Sequence, residues 1–182
     1  PLPPGAASCR PHADLTALTT AIRRAYQLAR SLPTVPLHAF ETRIAGLPRT
    51  TEAERLVVQR VGQDVFRAAL LDFWQGRCPL TGLAVPALLR ASHIKPWADC
   101  QTDAERLDVY NGLLLAPHLD AAFDLGFITF TDEGGLVCAE ALPAEARSAL
   151  GLMVDLPTMP VRGSHGPYLG WHRERVFRGS CS

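Results

Sequence analysis

Cysteine is scarce and poorly spaced for cross-linking. Five thiols stand at Cys9, Cys78, Cys100, Cys138 and Cys181, an odd number with no CxxC pair among them. That argues against a disulfide framework and against a zinc ribbon, and predicts reduced thiols in a cytoplasm. Lysine is scarcer still. Lys95 is the only one, so 17 of the 18 basic side chains are arginine. Arginine pairs well with phosphate, although a GC-rich genome gives the same bias. No run of about 18 apolar residues appears, which excludes a membrane-spanning helix. The opening PLPPGAAS has neither the charged nor the apolar region of a signal peptide. It also lacks a methionine, which leaves room for an upstream domain. Finally, there is no net charge: 18 basic residues balance 18 acidic ones. Phosphate binding favours a positive excess, so the sum counts against a nucleic-acid partner.

The distribution of charge says more than the sum. Residues 1–49 carry six Arg against two acids, and residues 161–182 carry four Arg against one. Residues 99–133 carry eight acids against the single Arg106. Basic ends therefore flank an acidic middle. With 182 residues, 47% apolar and 20% charged, the chain has the composition of a globular protein that buries a real core.

Periodicity predicts an amphipathic helix over residues 14–31, where Leu15, Leu18, Ile22, Ala25 and Ala29 recur at three- and four-residue spacing. Pro33 to Arg49 has three prolines and weak periodicity, and reads as a connector. Thr51 and Glu54 form a capping-box pattern that starts a second helix. Val57, Val61, Val65, Ala69 and Phe73 continue it to a stop at Gly76. Gly62 inside that helix costs roughly 1 kcal/mol relative to alanine, and a close helix contact would account for it. Thr81-Gly82 and the strand candidate Leu88–Ile94 suggest a β-hairpin ending at His93. Residues 97–110 read as a polar loop, Pro117–Leu125 as a short helix closed by Gly126. Phe127–Phe130 and Leu136–Cys138 read as a second hairpin. Pro143–Leu150 and residues 168–178 read as further helices.

The centre of the chain is thus hairpin, loop and short helix, and it carries Ser92, His93, Asn111, His118, Asp120 and Asp124. Imidazole suits proton abstraction near neutral pH, and hard divalent cations prefer oxygen ligands. Asp120 and Asp124 are four apart and share one face of the short helix, whereas His118 points elsewhere unless the helix begins later than Pro117. Read separately, each residue has an ordinary structural explanation: a buried histidine, an Asn-Gly turn, solvated helix acids.

Taken together, the residues resemble the HNH endonucleases, also called ββα-metal or His-Me finger nucleases. The resemblance runs through Cys78-Pro-Leu-Thr81-Gly82, Ala91-Ser-His-Ile-Lys-Pro-Trp97, Asn111-Gly-Leu-Leu-Leu115 and Asp120-Ala-Ala-Phe-Asp124-Leu-Gly126. Gln59–Arg67 and Tyr168–Phe177 are similar to segments flanking that motif in predicted bacterial restriction endonucleases. The resemblance implies an α+β fold with a ββα-metal core and flanking helices. It divides the chain into an N-terminal helix and connector, 1–49, and a nuclease domain, 50–182. It implies His93 as general base, Asn111 as the residue that steadies the base and its loop, and Asp120 as ligand of a divalent cation, Mg²⁺ or Mn²⁺, with Asp124 as a second ligand or a structural cap; His118, from its place on the short helix, is a further ligand candidate. It implies DNA as partner, in restriction or defence. Arg60, Gln63, Arg67, Lys95, Arg173 and Arg175 are the candidates for DNA contact, and a double-strand cut is compatible with a homodimer. One departure stands out: Ser92 occupies the position before the base where many members have a metal-binding Asp. That substitution keeps a rival reading open, a DNA-binding or protein-interaction module with a degenerate site.

Overall fold

The computed structural model describes residues 10–48, 50–153 and 156–179. Cys9 and Cys181 lie outside them. Cys78 and Cys100 are buried, Cys138 is half-buried, and all three are free thiols. None of the described helices is long and apolar enough to cross a membrane.

Helix α1 spans Leu15–Ser31 and is capped by Asp14, whose carboxylate accepts from the Ala17 amide at 2.7 Å. The expected connector is in fact largely helical: α2 spans Thr34–Ile44. Its internal proline, Pro36, falls in the first turn, where a missing amide hydrogen loses no intrahelical bond. Phe40 and Ile44, one turn apart, are buried in the same core as the rest of the chain. Helix α3, Glu52–Phe73, begins at the predicted capping box. Thr51 Oγ1 accepts from the Glu54 amide, and Glu54 accepts in return from the Thr51 amide at 2.9 Å. The helix ends where Gln75 and Gly76 take positive φ, 57° and 63°. Val65, Phe66, Ala69, Leu70 and Phe73 face the core.

The predicted first hairpin forms with a different partner. Residues 78–89 make a turn, closed by Cys78 donating to the Leu83 carbonyl, and a 3-10 turn at Pro86–Leu88, with no strand. Strand β1, Arg90–His93, instead pairs antiparallel with β2, Gly112–Leu115, so that His93 lies opposite Gly112. Every residue of β2 is buried, whereas the segment before β1 is broken by Pro79, Gly82 and Pro86 and offers no strand to pair with. Between the strands, the expected loop contains α4, Asp103–Leu107, and a 3-10 turn at Val109–Asn111. Thr102 caps α4 by accepting from the Glu105 amide at 3.1 Å.

Helix α5, Pro117–Asp124, follows β2 directly and packs on β1. Strands β3, Ile128–Phe130, and β4, Leu136–Cys138, form the expected second hairpin. Helices α6, Ala144–Ala149, and α7, Gly166–Arg175, complete an α+β arrangement of helices around two small sheets. Gly126, at φ +73°, lets α7 dock: a side chain there would collide with the Val176 carbonyl, and the Arg178 amide donates to the Gly126 carbonyl at 2.9 Å.

Candidate active site

A cavity of about 460 Å³ opens beside β1 and is lined by Arg90, Ser92, His93, Trp97, Asp120 and Asp124, among others. His93 is the last residue of β1. Its ring stacks on Phe66 of α3 at 3.8 Å between centroids, and Trp97 meets it edge-on at 5.7 Å. Trp97 in turn lies against Gly62, where a Cβ would collide with the indole. The glycine that weakens α3 as a helix is therefore the space that admits Trp97.

His93 Nε2 lies 2.8 Å from the Arg106 carbonyl oxygen. A carbonyl only accepts, so Nε2 carries the hydrogen and the neutral ring presents a lone pair at Nδ1. No Nδ1 partner exists among the described residues, nor is that atom sealed from solvent. Burial pushes the His93 pKa down to about 4, against the opposing pull of the Arg106 carbonyl. At neutral pH the ring is an uncharged proton acceptor held in one tautomer.

The loop that supplies this carbonyl is held by two side chains. Arg106 donates to the Trp97 and Cys100 carbonyls and to Asp103, and its guanidinium lies over the Trp97 ring. Asn111, fully buried, accepts from the Lys95 amide at 2.8 Å and donates to the Lys95 and Glu105 carbonyls. Asn111 is not part of the cavity lining; it fixes both ends of the loop behind His93.

Opposite the imidazole, α5 presents Asp120 and Asp124. Ser92 donates to Asp124 at 3.0 Å. Burial raises the pKa of both acids, and the Asp124 charge raises Asp120 further. Ser92 pulls both down in part, and Arg90 does so at Asp120. A half-buried carboxylate, Asp120, and an exposed one, Asp124, with a hydroxyl beside them form a hard-oxygen donor set with excess negative charge. That set fits a Mg²⁺-type cation, which takes one or two carboxylates and fills its remaining positions with water and substrate phosphate. Among the described residues, no group of three or more His, Cys, Asp or Glu converges as a metal cage.

His118 is exposed and outside the cavity: α5 starts at Pro117, which places the imidazole on the far side of the helix from Asp120. Several residues considered for DNA contact have other partners. Arg67 donates to the Leu89 and Pro86 carbonyls. Lys95 pairs with Glu105 at 2.6 Å. Arg173 donates to the Phe130 carbonyl and pairs with Asp132. Arg60, Gln63 and Arg175 are exposed, and the first two line a groove on α3 with Leu56 and Val57.

A model of the HNH endonuclease family matches residues 78–131. That stretch, less than half of the chain, is similar to an HNH endonuclease domain. It holds β1, the braced loop, β2 and α5, so the family match and the cavity coincide. A domain of this family points to nuclease activity on DNA, and HNH nucleases generally use divalent metal ions. No curated protein matches the chain.

Sequence reasoning missed three parts of the site. Arg90 is two residues before Ser92 on β1, and the two-residue strand period marks the pair as sharing a face. Phe66 was legible only as a core residue of α3. His172 reaches the cavity wall from α7, fully buried. It stacks on Phe123 at 3.9 Å, its Nε2 donates to the Phe123 carbonyl, and its Nδ1 accepts from Thr129. Nothing local in the C-terminal sequence links that histidine to α5.

Proposed function

We propose that the protein is a metal-dependent endonuclease that hydrolyses DNA phosphodiester bonds, with His93 as general base. The observation that carries this reading is the open Nδ1 of a tautomer-locked, neutral imidazole across one cavity from two crowded carboxylates. His93 Nδ1 accepts a proton from water as the water oxygen bonds to phosphorus and the bond to the 3′ oxygen breaks, leaving a 5′-phosphate end. Asp120 and Asp124, with the Ser92 hydroxyl, are the residues that would hold the cation. When bound, a divalent ion such as Mg²⁺ or Mn²⁺ offsets charge on the phosphate and on the departing oxygen. Arg90, on the same cavity wall, adds positive charge beside the phosphate. Asn111 acts at one remove, by fixing the loop whose carbonyl orients the base. A role in restriction or defence follows the family type and rests on that analogy alone.

The experiment is plasmid nicking with and without Mg²⁺, comparing the wild type with His93→Ala. Loss of a general base lowers the rate by about 10²–10⁴, while duplex binding stays near wild type. Equal cleavage by the variant refutes the assignment. Ser92 and the two-carboxylate donor set favour one rival, a DNA-binding module with a decayed site. That rival predicts duplex binding without Mg²⁺-dependent nicking by the wild type.

A further inference from the structure

A second cleft, of about 500 Å³, lies at the other end of α3's core face. Its lining includes Arg24 from α1, Arg77 from the turn after α3, and Arg162 ahead of α7, over a floor of Phe73 and Trp74. No described carboxylate lines it. The three guanidiniums come from distant parts of the chain, and two are anchored by the fold. Arg24 Nη1 donates to the Asp72 and Phe73 carbonyls at 3.2 and 2.8 Å, the last carbonyls of α3. Arg77 Nη1 donates to the Gly82 carbonyl at 2.7 Å. The Arg162 guanidinium lies over the Phe73 ring at 5.7 Å, and the Arg162 amide donates to His165 Nδ1 at 3.0 Å. No hydrogen bond from its guanidinium occurs among the described residues. Arg24 also feels the cost of this arrangement: burial and then the Arg162 charge lower its pKa.

Like charges gathered over an aromatic floor, with most of their N–H donors unspent, are stabilised by an anion. A guanidinium fork matches the oxygens of phosphate. We propose that the cleft of Arg24, Arg77 and Arg162 is a binding site for a phosphate group, separate from the cavity at His93. The phosphate is either a phosphodiester of a nucleic-acid strand or the terminal phosphate of a free nucleotide. The first source rests on the nuclease reading above; the second does not. For the first, geometry is favourable. Seven residues separate Phe66, under His93, from Phe73, under this cleft, which is ~10 Å along a helix axis, about three steps of a DNA strand.

The test uses the full chain and the double substitution Arg77→Gln with Arg162→Gln, leaving Arg24 in place because it closes the end of α3. Thermal melting establishes that the variant folds; if it does not, Arg162→Gln alone replaces it. Calorimetry with dAMP and with pyrophosphate reads free phosphate. Anisotropy of a labelled duplex, on a His93→Ala background and across a salt series, reads the strand. Losing charged hydrogen bonds is expected to weaken the bound probe about tenfold or more. On duplex DNA the salt slope is expected to fall by about one per lost phosphate contact. A fall confined to the duplex assigns the site to the strand backbone. Saturable dAMP or pyrophosphate binding that the variant loses assigns it to a free phosphate. Unchanged duplex affinity and slope, with no variant-sensitive dAMP or pyrophosphate binding, overturns the proposal. If the wild type binds no duplex, the nuclease reading fails, and the dAMP and pyrophosphate titrations alone decide the cleft.

Discussion

The two walls of the His93 cavity are built differently. On the imidazole side, α3, the α4 loop and both strands converge. Phe66 and Trp97 pack the ring, the Arg106 carbonyl fixes its tautomer, and Asn111 and Arg106 tie down the loop. On the carboxylate side, one short helix presents two acids, and a single serine hydroxyl ties them to β1. The first wall is complete without a ligand. The second gathers two carboxylates that Arg90 and Ser92 offset only in part, and it is completed by something positive. A rigid base beside an unsatisfied acid pair is the arrangement expected when the protein orients the base and leaves charge compensation to a cation and substrate.

The contrast is most severely tested at Phe66. Phe66→Ala removes the surface on which His93 stacks and opens a core cavity, and a loss of about 3–5 kcal/mol of stability is expected. Urea denaturation measures it; a cost under about 1 kcal/mol, the range of well-tolerated core changes, would show that the imidazole wall is not a packed unit. Asn111→Ala comes next. It strands the Lys95 amide and two carbonyls, each such loss costing about 1–3 kcal/mol. Its cleavage defect should accompany the loss of stability and be reduced at low temperature, whereas the His93→Ala defect should persist in a fully folded protein.

Acid separates the histidines from the carboxylates by sign. His165 and His172 are buried and His93 is half-buried, and desolvation lowers each pKa from 6.5 to about 4. Between those values the unfolded chain binds protons that the native state refuses, so stability rises with pH across the window. The slope is about 1.4 kcal/mol per pH unit for each histidine. Asp120 and Asp124 act the opposite way: with raised pKa values, the native state holds protons more readily than the unfolded chain, and their contribution improves as pH falls. Denaturation midpoints measured from neutral pH down to about 4.5 should fall steeply, and more gently after His172→Gln. A flat profile would mean that these histidines are not held neutral.

The smallest effect is expected at the acid pair. Asp120→Asn removes repulsion from Asp124, so the metal-free protein should be unchanged or gain up to about 1 kcal/mol. Mg²⁺ affinity measured by calorimetry should nevertheless drop. Ser92→Asp should do the reverse, adding a third carboxylate at a buried position: lower stability without metal, tighter binding with it. Destabilisation of the metal-free protein by Asp120→Asn would make Asp120 a structural cap instead of a ligand.

Much of the frame is legible in the sequence because it is encoded locally. The Thr51–Glu54 box, the four-residue repeat of α3, Pro117 at the start of α5 and the Gly134-Gly135 hairpin turn each signal their own element. Helix α4 carried a readable signal too, Thr102 followed by Glu105, but the acidic composition around it suggested a loop. Helix α2 was obscured by proline, because composition does not distinguish a first-turn position from an interior one. The partner of β1 is not legible for a different reason. Strand pairing is a contact between residues far apart in sequence, and a nearby Thr-Gly turn competes with the true partner at 112–115. The same limit governs the site. His93, Asp120 and Asp124 could be grouped by motif, but the support from Phe66 and His172 arises only when α3 and α7 close over the strands. Asn111 illustrates both: the motif implies that it steadies the base and its loop, and the structure supplies its partners, the Lys95 amide and the Lys95 and Glu105 carbonyls.

The atom that sets the tautomer of His93 belongs to the peptide backbone at residue 106. Replacing the side chain there leaves the oxygen in the covalent structure, so no single substitution deletes that acceptor as one would delete an orienting aspartate. Its vulnerability is of another kind, in the length of the chain. Adding or removing one residue between Trp97 and Leu107 rotates the carbonyl off the ring while preserving every named side chain. In a laboratory library, this loop should therefore tolerate many replacements of exposed residues and almost no insertions or deletions. Its functional information is carried by spacing more than by spelling.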